Sequence, residues 1–220
     1  MRVSDYTRLL TLAAIWGASF LFMRISSPVI GAIKTAFFRV FFGLIGLAAI
    51  IFFIRKSLDY KEKLGKTLIL GTINSGIPFL MYSIAASFIP AGYSAILNAT
   101  TPLMGAMIGF FIFSEHLTIK KWLGVMLGII GITVITTVGE SHVVGNVIIG
   151  VIACIIATIG YGFAGFLTRK WITQQGGLDP TLVAFGSQIG ATIFLTPFLL
   201  WNLSSSPNID WLQGDVWISL

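Results

Sequence analysis

The chain has 220 residues, of which 56% are hydrophobic and only 10% are charged, and its mean hydropathy is +0.93. So little polar surface cannot cover a water-soluble fold of this size, which excludes an ordinary soluble enzyme and indicates an integral membrane protein. The net charge of +6 is small for a nucleic-acid-binding protein, and the basic residues flank apolar runs, so we expect contact with a lipid bilayer and with no nucleic acid.

Seven apolar segments approach the roughly 20 residues that a helix needs to cross a bilayer. They predict an all-α fold class, a polytopic membrane helix bundle. In chain order the predicted spans are Leu9 to Met23, Ala36 to Ile54, Thr67 to Ile89, Gly92 to Ser114, Trp122 to Val138, Val147 to Thr168 and Thr181 to Trp201. We expect an eighth span to begin near Asp215 and to be cut off at Leu220. A secretory signal peptide is the alternative for the first segment, but no small-residue cleavage site follows it.

Basic residues between the segments predict the orientation of the chain. If seven helices alternate in direction, one side of the membrane receives Arg2, Arg8, Arg55, Lys56, Lys61, Lys63, Lys66, Lys120, Lys121, Arg169 and Lys170. The other side receives Arg24 and Lys34. Because basic loops stay on the cytoplasmic side, we expect a cytoplasmic N-terminus.

The first and sixth predicted spans share a pattern. IWGASFLFMR (Ile15 to Arg24) and GYGFAGFLTR (Gly160 to Arg169) both place a basic residue eight positions after an aromatic one. The unit between the two contains five helices, and an odd number inverts the orientation of the next unit. The pattern therefore predicts inverted five-helix repeats, which recur in secondary transporters. We expect a first repeat over residues 1–140 and a partial second repeat over residues 141–220.

The stretch from TLAAIWGASF through NATTPLMGAMIGFFIFSEHLTIKKWLGVMLGIIGITVI resembles the EamA-type repeat of the drug/metabolite transporter superfamily. The matching features are Trp16-Gly17 in the first helix, Arg39 opening the second, Pro102 in the fourth, Glu115 closing it, and the glycines of the fifth. The resemblance covers about residues 8–138 and resumes from about residue 146.

This resemblance implies two five-helix repeats, so most of helix eight and all of helices nine and ten would be missing here. It also implies a secondary transporter of the bacterial inner membrane that exports small metabolites, such as amino acids or related amphiphilic solutes. Transport would follow alternating access, with the repeats rocking about a midplane cavity. The alternatives are a non-transporting membrane assembly protein and, less favoured, an intramembrane enzyme, and a homodimer is left open.

Arg39 is a cation inside the second apolar segment, within TAFFRVFFGLIG. At 100° per residue, small and polar residues share its helix face, whereas the phenylalanines occupy the other. Small faces are where membrane helices approach each other, so we expect Arg39 to point into the bundle. It could hold a substrate carboxylate there, or a helix C-terminal carbonyl. The alternative is that it snorkels to the lipid headgroups.

An asparagine precedes a proline by four residues in both the third and the fourth span, as Asn74 with Pro78 and Asn98 with Pro102. Proline has no N–H, so the carbonyl four residues earlier loses its helical donor, and in lipid it needs another partner. The faces of these asparagines also carry Tyr82, Ser94 and Thr101. Two kinked helices with polar stripes predict a wet central cavity, although helix packing alone is the alternative.

Three further groups of residues follow from the same reasoning. Trp16 with Ser19, and Tyr161 at the matching repeat position, could form facing cavity walls, with plain packing as the alternative for Trp16. Gln188 lies on a polar stripe of the seventh span. The predicted substrate-binding residues are therefore Trp16, Ser19, Arg39, Asn74, Tyr82, Ser94, Asn98, Thr101, Tyr161 and Gln188. The residues predicted to form a close helix-packing seam are Gly124, Gly128 and Gly131.

Chemistry-bearing residues are scarce inside the spans. His116 and His142 fall on opposite sides of the membrane, and no His/Cys/Asp/Glu cluster is apparent, so we expect no enzymatic activity, no metal and no cofactor. The lone Cys154 predicts no disulfide. All acidic residues fall in loops or at helix ends, which favours uniport or facilitated export over proton coupling. Glu115 is interpreted as a structural element of its turn.

Overall fold

The computed structural model describes residues 3–138 and 147–205, and within these ranges the chain forms helices and no strand. The α-helices are α1 Val3–Ile30, α2 Ala32–Phe53, α3 Leu64–Gly71, α4 Ile77–Phe88, α5 Ala91–Asn98, α6 Thr101–Phe111, α7 Ile119–Val138, α8 Val147–Trp171 and α9 Pro180–Ser205. A π-helical segment, Thr72–Gly76, joins α3 to α4, and a 3₁₀ turn, Thr173–Gln175, follows α8. The expected eighth span near Asp215 lies outside the described residues.

Six helical segments of the described ranges are long and apolar enough to cross a membrane. They are Asp5–Ile30, Ala32–Phe53, Leu64–Phe88, Ala91–Phe111, Val147–Gln175 and Pro180–Leu203. The polytopic all-α membrane bundle is thus confirmed. The fifth predicted span forms helix α7 and is not among the six. Bulky side chains such as Phe53 (80% exposed) and Trp201 (77%) point away from the bundle, as lipid-facing residues do. The division into two inverted repeats stays a prediction.

The first helix is longer than the sequence predicted, because it continues through Arg24 to Ile30. Its polar side chains find partners inside the bundle: Arg24 donates to the Ala86 carbonyl of α4, and Ser27 donates to the Ser83 carbonyl. Because these side chains have hydrogen-bond partners inside the bundle, the helix can continue past Arg24 without burying an unpaired polar group. Only Gly31 separates α1 from α2, at a φ of +90° that favours glycine.

Helix α8 lies at the centre of the described bundle, packed against α4, α5, α6 and the π segment. The largest core cluster joins α1, α4, α5 and α8. Its buried members are Met23, Tyr82, Ala85, Ala86, Ile89, Leu97, Ala153, Cys154 and Ala157. A second cluster joins α2, α4 and α9 through Ala36, Val40, Leu80, Ala191 and Leu195. Small residues make up most of the first cluster, and alanines of α2 and α9 contribute to the second, which lets the helix backbones approach closely.

The closest helix crossing joins α3 to α9 and depends on glycines that sequence reasoning did not select. A Cβ atom at Gly190 would overlap the Leu68 carbonyl, and one at Gly71 would overlap the Ser187 carbonyl. A Cβ at Gly186 would overlap the Thr67 side chain. Gly186 and Gly190 form a GxxxG pattern, which brings membrane helices into backbone contact.

The predicted packing seam in α7 differs from the structure. Gly128 approaches Leu103 of α6, where an added Cβ would lie 3.1 Å from Cδ2, but nothing lies within 4 Å of a Cβ at Gly124 or Gly131. All three glycines line an open groove of about 680 Å³ beside α6. Among the described residues, therefore, only Gly128 of the three makes a close helix contact, and a continuous packing seam stays a prediction, since a stripe of small residues does not specify which helix will cover it.

Basic loops meet at one end of the bundle. Lys56, just after α2, donates to the Asp179 carboxylate at 2.5 Å, and Lys63 donates to the carbonyls of Gln175 and Gly177 at 2.6 Å each. Gln175 ends the 3₁₀ turn after α8, and Gly177 lies in the loop that leads to α9. Lysines of the α2–α3 loop therefore clamp the α8–α9 link. The clustering agrees with the predicted distribution of basic residues, and which side of the membrane it faces stays a prediction.

Asp179 makes this clamp sensitive to acid. The hydrogen bond from Lys56 holds the pKa of the Asp179 carboxyl below its ordinary value, and a backbone N–H of Thr181 adds to the effect. Because the pKa of Asp179 is lower in the folded state, its ionised carboxylate stabilises the fold at any pH above the unfolded pKa of about 3.9. This contribution is lost as the pH falls through the folded pKa. The effect is small because both side chains of the pair are about one-third exposed.

We therefore expect Asp179→Asn to lower the thermal unfolding midpoint at neutral pH, and the midpoints of the two proteins to converge as the pH falls through the lowered folded pKa of Asp179. Asparagine keeps the capping oxygen that accepts from Thr181 and removes only the charge. Unfolding midpoints of both proteins across this pH range are the measurement. A difference of constant size at every pH would contradict the assignment.

Candidate functional site

A cavity of about 780 Å³ opens inside the helix bundle. Its wall is built from α1, α2, the π segment, α4, α5, α6 and α8. The lining residues are Trp16, Ser19, Phe20, Met23, Arg39, Asn74, Ser75, Phe79, Tyr82, Ala95, Asn98, Ala99, Thr101, Pro102 and Tyr161. Eight of the ten predicted substrate-binding residues are in this set, all but Ser94 and Gln188. The structure therefore brings side chains from distant parts of the chain around one space.

Arg39 lies on the cavity wall, about 10 Å along α2 from its first residue. Its Cζ atom sits 4.4 Å from the centroid of the Phe79 ring on α4, a cation–π contact. Among the described residues the guanidinium has no hydrogen-bond or ion-pair partner. The side chain thus faces the bundle interior, as the face analysis predicted, and keeps free N–H donors at the cavity.

The α5–α6 junction at Pro102 is a break between two helices, where the sequence had suggested a kink. Helix α5 ends at Asn98 and α6 begins at Thr101. The Thr101 hydroxyl donates to the Asn98 backbone carbonyl at 2.7 Å, which replaces the donor that proline lacks. The Tyr82 hydroxyl donates to the Asn98 side-chain oxygen at 2.8 Å. Side-chain hydrogen bonds on the cavity wall therefore hold the break.

The third span adapts to Pro78 in another way. The turn before the proline, Thr72–Gly76, is π-helical, a local widening that often marks functional sites. Asn74 and Ser75 lie in this turn and reach the cavity wall. Pro78 itself is fully buried, and Gly160 of α8 packs so closely that an added Cβ would lie 3.3 Å from its ring. The widened turn therefore presents two polar side chains to the cavity while the proline packs behind them.

Aromatic rings form the apolar part of the wall. Phe20 meets Tyr82 edge to face with centroids 5.2 Å apart, and Tyr82 stacks on Tyr161 at 6.2 Å. Trp16 is 56% exposed, so it lines the cavity without being packed in the core. The rings of α1, α4 and α8 thus offer an apolar surface beside the polar groups, which suits an amphiphilic ligand.

Two predicted binding residues lie elsewhere. Ser94 is buried in the bundle, with Cys154 of α8 beside it. Gln188 lies between α9 and α2, where a Cβ at Gly43 would meet its amide group at 3.5 Å. Neither lines the cavity, so the structure does not bring them to the other predicted binding residues, and their role in substrate binding stays a prediction. Both were chosen by shared helix face alone, and a polar stripe can equally face a neighbouring helix.

The structure adds lining residues that the prediction left out, chiefly Phe20, Met23, Ser75, Phe79 and Ala95. Helical spacing could have identified several of them, because residues three or four apart share a face. Ser75 and Phe79 stand at this spacing from each other, and Phe79 stands three residues before Tyr82. The signal was therefore present in the sequence, but phenylalanine is too common in membrane helices to single out.

Charged groups away from the cavity link helix ends. The Glu115 carboxylate, between α6 and α7, accepts a hydrogen bond from Arg169 of α8 at 2.6 Å. Arg169 also lies over the Phe166 ring. Glu115 thus ties its turn to α8. Within the two described ranges no group of His, Cys, Asp or Glu side chains could hold a metal ion.

Comparison with known proteins places the chain in a family. The model of the EamA-like transporter family matches residues 6–137. The uncharacterized transporter YoaV of Bacillus subtilis (strain 168) is 20% identical over 210 residues, which cover 95% of this chain and 70% of YoaV. Protein PecM of Dickeya dadantii (strain 3937) is 24% identical over 185 residues, covering 82% of this chain and 58% of PecM.

A third relative, the uncharacterized transporter YdfC of Bacillus subtilis (strain 168), is 24% identical over 157 residues, or 67% of this chain and 51% of YdfC. The chain therefore spans between about half and 70% of the length of these relatives. The family match covers more than half of the chain, and it agrees with the apolar bundle and with its central cavity. The chain belongs to the EamA-like transporter family and is a multi-pass membrane protein.

Proposed function

We propose that this protein is a secondary transporter that exports small amphiphilic organic solutes across the inner membrane of a bacterial cell, with its N-terminus in the cytoplasm. The observation that carries the proposal is the cavity of about 780 Å³, where polar groups of five helical segments and a set of aromatic rings converge inside an apolar bundle. A protein that served only as a membrane scaffold would gain nothing from this convergence, because polar groups inside a membrane are costly.

The cavity wall supports an amphiphilic cargo, an amino acid or a related solute. Arg39, Asn74 and Ser75 offer hydrogen-bond donors on one part of the wall, and Trp16 and Tyr161 offer apolar ring surface on another. Such a combination of a mainly apolar wall with a few placed polar groups is typical of small-molecule sites. It does not suit an inorganic ion, which would need a shell of oxygen ligands.

Alternating access is the mechanism that we propose. The two predicted repeats, residues 1–140 and 141–220, would rock about the cavity and expose it to each side in turn. Contacts at the basic end of the bundle would have to break for that side to open. They are the ion pairs Glu115–Arg169 and Lys56–Asp179, each of which joins one predicted repeat to the other.

Downhill flux, without a coupled proton, fits the cavity best. No carboxylate or imidazole is among the lining residues of the described ranges. A proton-coupled carrier usually loads and unloads an ionisable group within the span. We therefore propose uniport or facilitated export.

The test is flux in proteoliposomes with a radiolabelled panel of neutral, anionic, zwitterionic and cationic solutes of similar size. We expect at least one amphiphilic solute to equilibrate faster than in protein-free liposomes, with a rate that saturates with concentration. Collapsing the pH gradient with an ionophore should leave the rate unchanged. If every solute leaked equally fast from liposomes with and without the protein, the transport proposal would be contradicted. A rate that follows the pH gradient would contradict the uncoupled mechanism.

A further inference from the structure

We propose that the cavity selects solutes that carry a carboxylate and no balancing ammonium group, with Arg39 as the anion-binding residue. This inference rests on the proposed function and narrows its solute class from amphiphilic molecules in general to organic acids with an apolar body. Three features of the wall carry it: an uncompensated positive charge, guanidinium N–H donors without a partner among the described residues, and the lack of a carboxylate among the described lining residues.

The charge of the cavity is positive and uncompensated. Arg39 is the one charged side chain among the described lining residues, and it has neither an ion-pair nor a hydrogen-bond partner among the described residues. A cation inside a membrane-spanning bundle is costly unless something pairs with it. A ligand that brings a negative charge removes this cost on binding, whereas a neutral ligand leaves it in place.

The contact with Phe79 sets how the guanidinium can bind. Cζ lies over the ring, 4.4 Å from its centroid, and the N–H donors radiate in the plane of the guanidinium. The contact holds the group at the cavity wall, and no described residue accepts a hydrogen bond from its donors. Two parallel N–H groups match the two oxygens of a carboxylate, which gives a bidentate charge-assisted pair.

An ammonium group would find no charged partner on this wall. The described lining residues offer neutral oxygens, such as those of Asn74 and Ser75, but no carboxylate, and Arg39 repels a second cation. The Asn98 side-chain oxygen already accepts from the Tyr82 hydroxyl, and the Asn98 carbonyl already accepts from Thr101. The Phe79 ring is occupied by Arg39 itself. A zwitterionic amino acid would therefore lose the hydration of its ammonium group without full replacement, so we expect it to bind more weakly than the corresponding acid.

The apolar body of the solute would lie on the ring surface of the wall. Trp16, Phe20 and Tyr161 lie on α1 and α8 and border the same cavity as Arg39. Aromatic rings contribute large contact areas and favour stacking with another ring. An aryl-substituted carboxylate thus matches both parts of the wall.

The experiment compares three ligands that share one phenylpropyl body: 3-phenylpropionate, phenylalanine and 3-phenylpropan-1-ol. Isothermal titration of the purified protein in lipid nanodiscs near neutral pH gives a Kd for each. We expect 3-phenylpropionate to bind about tenfold or more tightly than the other two, the difference of one charge-assisted hydrogen-bonded pair. Equal affinity for the three ligands, tighter binding of phenylalanine, or no binding of 3-phenylpropionate would overturn the inference.

Substitutions then assign the selectivity to one side chain. Arg39→Gln should lose the preference for 3-phenylpropionate, and Arg39→Lys should keep part of it, because a lysine retains the charge and loses the bidentate fork. Lys170→Gln removes an exposed cation at the end of α8 and should leave all three affinities unchanged. Unfolding midpoints of each variant show that it is folded. An unaltered preference in folded Arg39→Gln would overturn the role of Arg39.

Flux of the same ligands separates this inference from the proposed function. Selective binding of 3-phenylpropionate without flux of any ligand would leave the anion site standing and overturn transport. Flux of phenylalanine or of the alcohol by a protein that does not bind 3-phenylpropionate would leave transport standing and overturn the anion site.

Discussion

Gly190→Ala is expected to destabilise the protein strongly, although alanine is the better helix former. In an open helix position, glycine to alanine is favourable by about 1 kcal/mol. At Gly190 the added Cβ would overlap the backbone carbonyl of Leu68, which belongs to α3 and cannot rotate away as a side chain can. Overpacking of this kind costs about 1–3 kcal/mol and can exceed that where backbone must shift.

The single cysteine provides the measurement. Cys154 is fully buried, so a thiol-reactive fluorescent dye labels it only when the bundle opens, and labelling on heating reports the unfolding midpoint. Gly165→Ala on α8 is the matched control, because nothing lies within 4 Å of a Cβ there. We expect a lower midpoint for Gly190→Ala and an unchanged or higher one for Gly165→Ala. The same midpoint in both variants would show that the α3–α9 crossing does not depend on backbone contact.

Ala95→Phe is expected to block transport while leaving the protein folded. Ala95 is half-buried on α5 and borders the cavity, so a phenyl ring at this position projects into the space that the solute would occupy. Because a small-molecule site encloses most of the surface of its ligand, we expect a loss of flux of about tenfold or more. Initial rates in proteoliposomes, with the solute that the unsubstituted protein carries best, are the measurement.

Ala49→Phe is the control for this substitution. Ala49 lies on α2, is exposed and is not among the lining residues of the cavity, so the new ring should project from the bundle surface. We expect normal flux for Ala49→Phe and a normal unfolding midpoint for both variants. Normal flux through folded Ala95→Phe would mean that solutes take a different route.

Much of the fold could be predicted from the sequence because a lipid bilayer restricts both the length and the composition of the helices that cross it. A bilayer requires helices of a certain length, and the predicted spans from Ala36, Val147 and Thr181 begin within four residues of α2, α8 and α9. The predicted first span ends too early, at Met23, because a basic residue such as Arg24 after an apolar run usually marks the membrane edge. Its donor contact with the Ala86 carbonyl could not be read from local sequence.

The candidate site was predictable where two independent signals coincided. Arg39 combined a charge within an apolar run with a face of small residues, and Asn98 combined a polar side chain with a proline four residues later. Ser94 and Gln188 had a shared helix face and nothing more, and that face meets another helix in the structure. Which neighbour a face meets depends on tertiary packing, as the open groove beside Gly124 and the tight crossing at Gly190 also show.

The break between α5 and α6 ties the cargo to the shape of the carrier. The hydroxyls of Tyr82 and Thr101 that steady the joint both converge on Asn98, and all three residues border the cavity. A guest that offered its own donor to the Asn98 amide oxygen would compete with Tyr82 for it and would loosen the joint between the two half-helices. An ionised carboxylate has no such donor, so the acids proposed above would leave this joint closed.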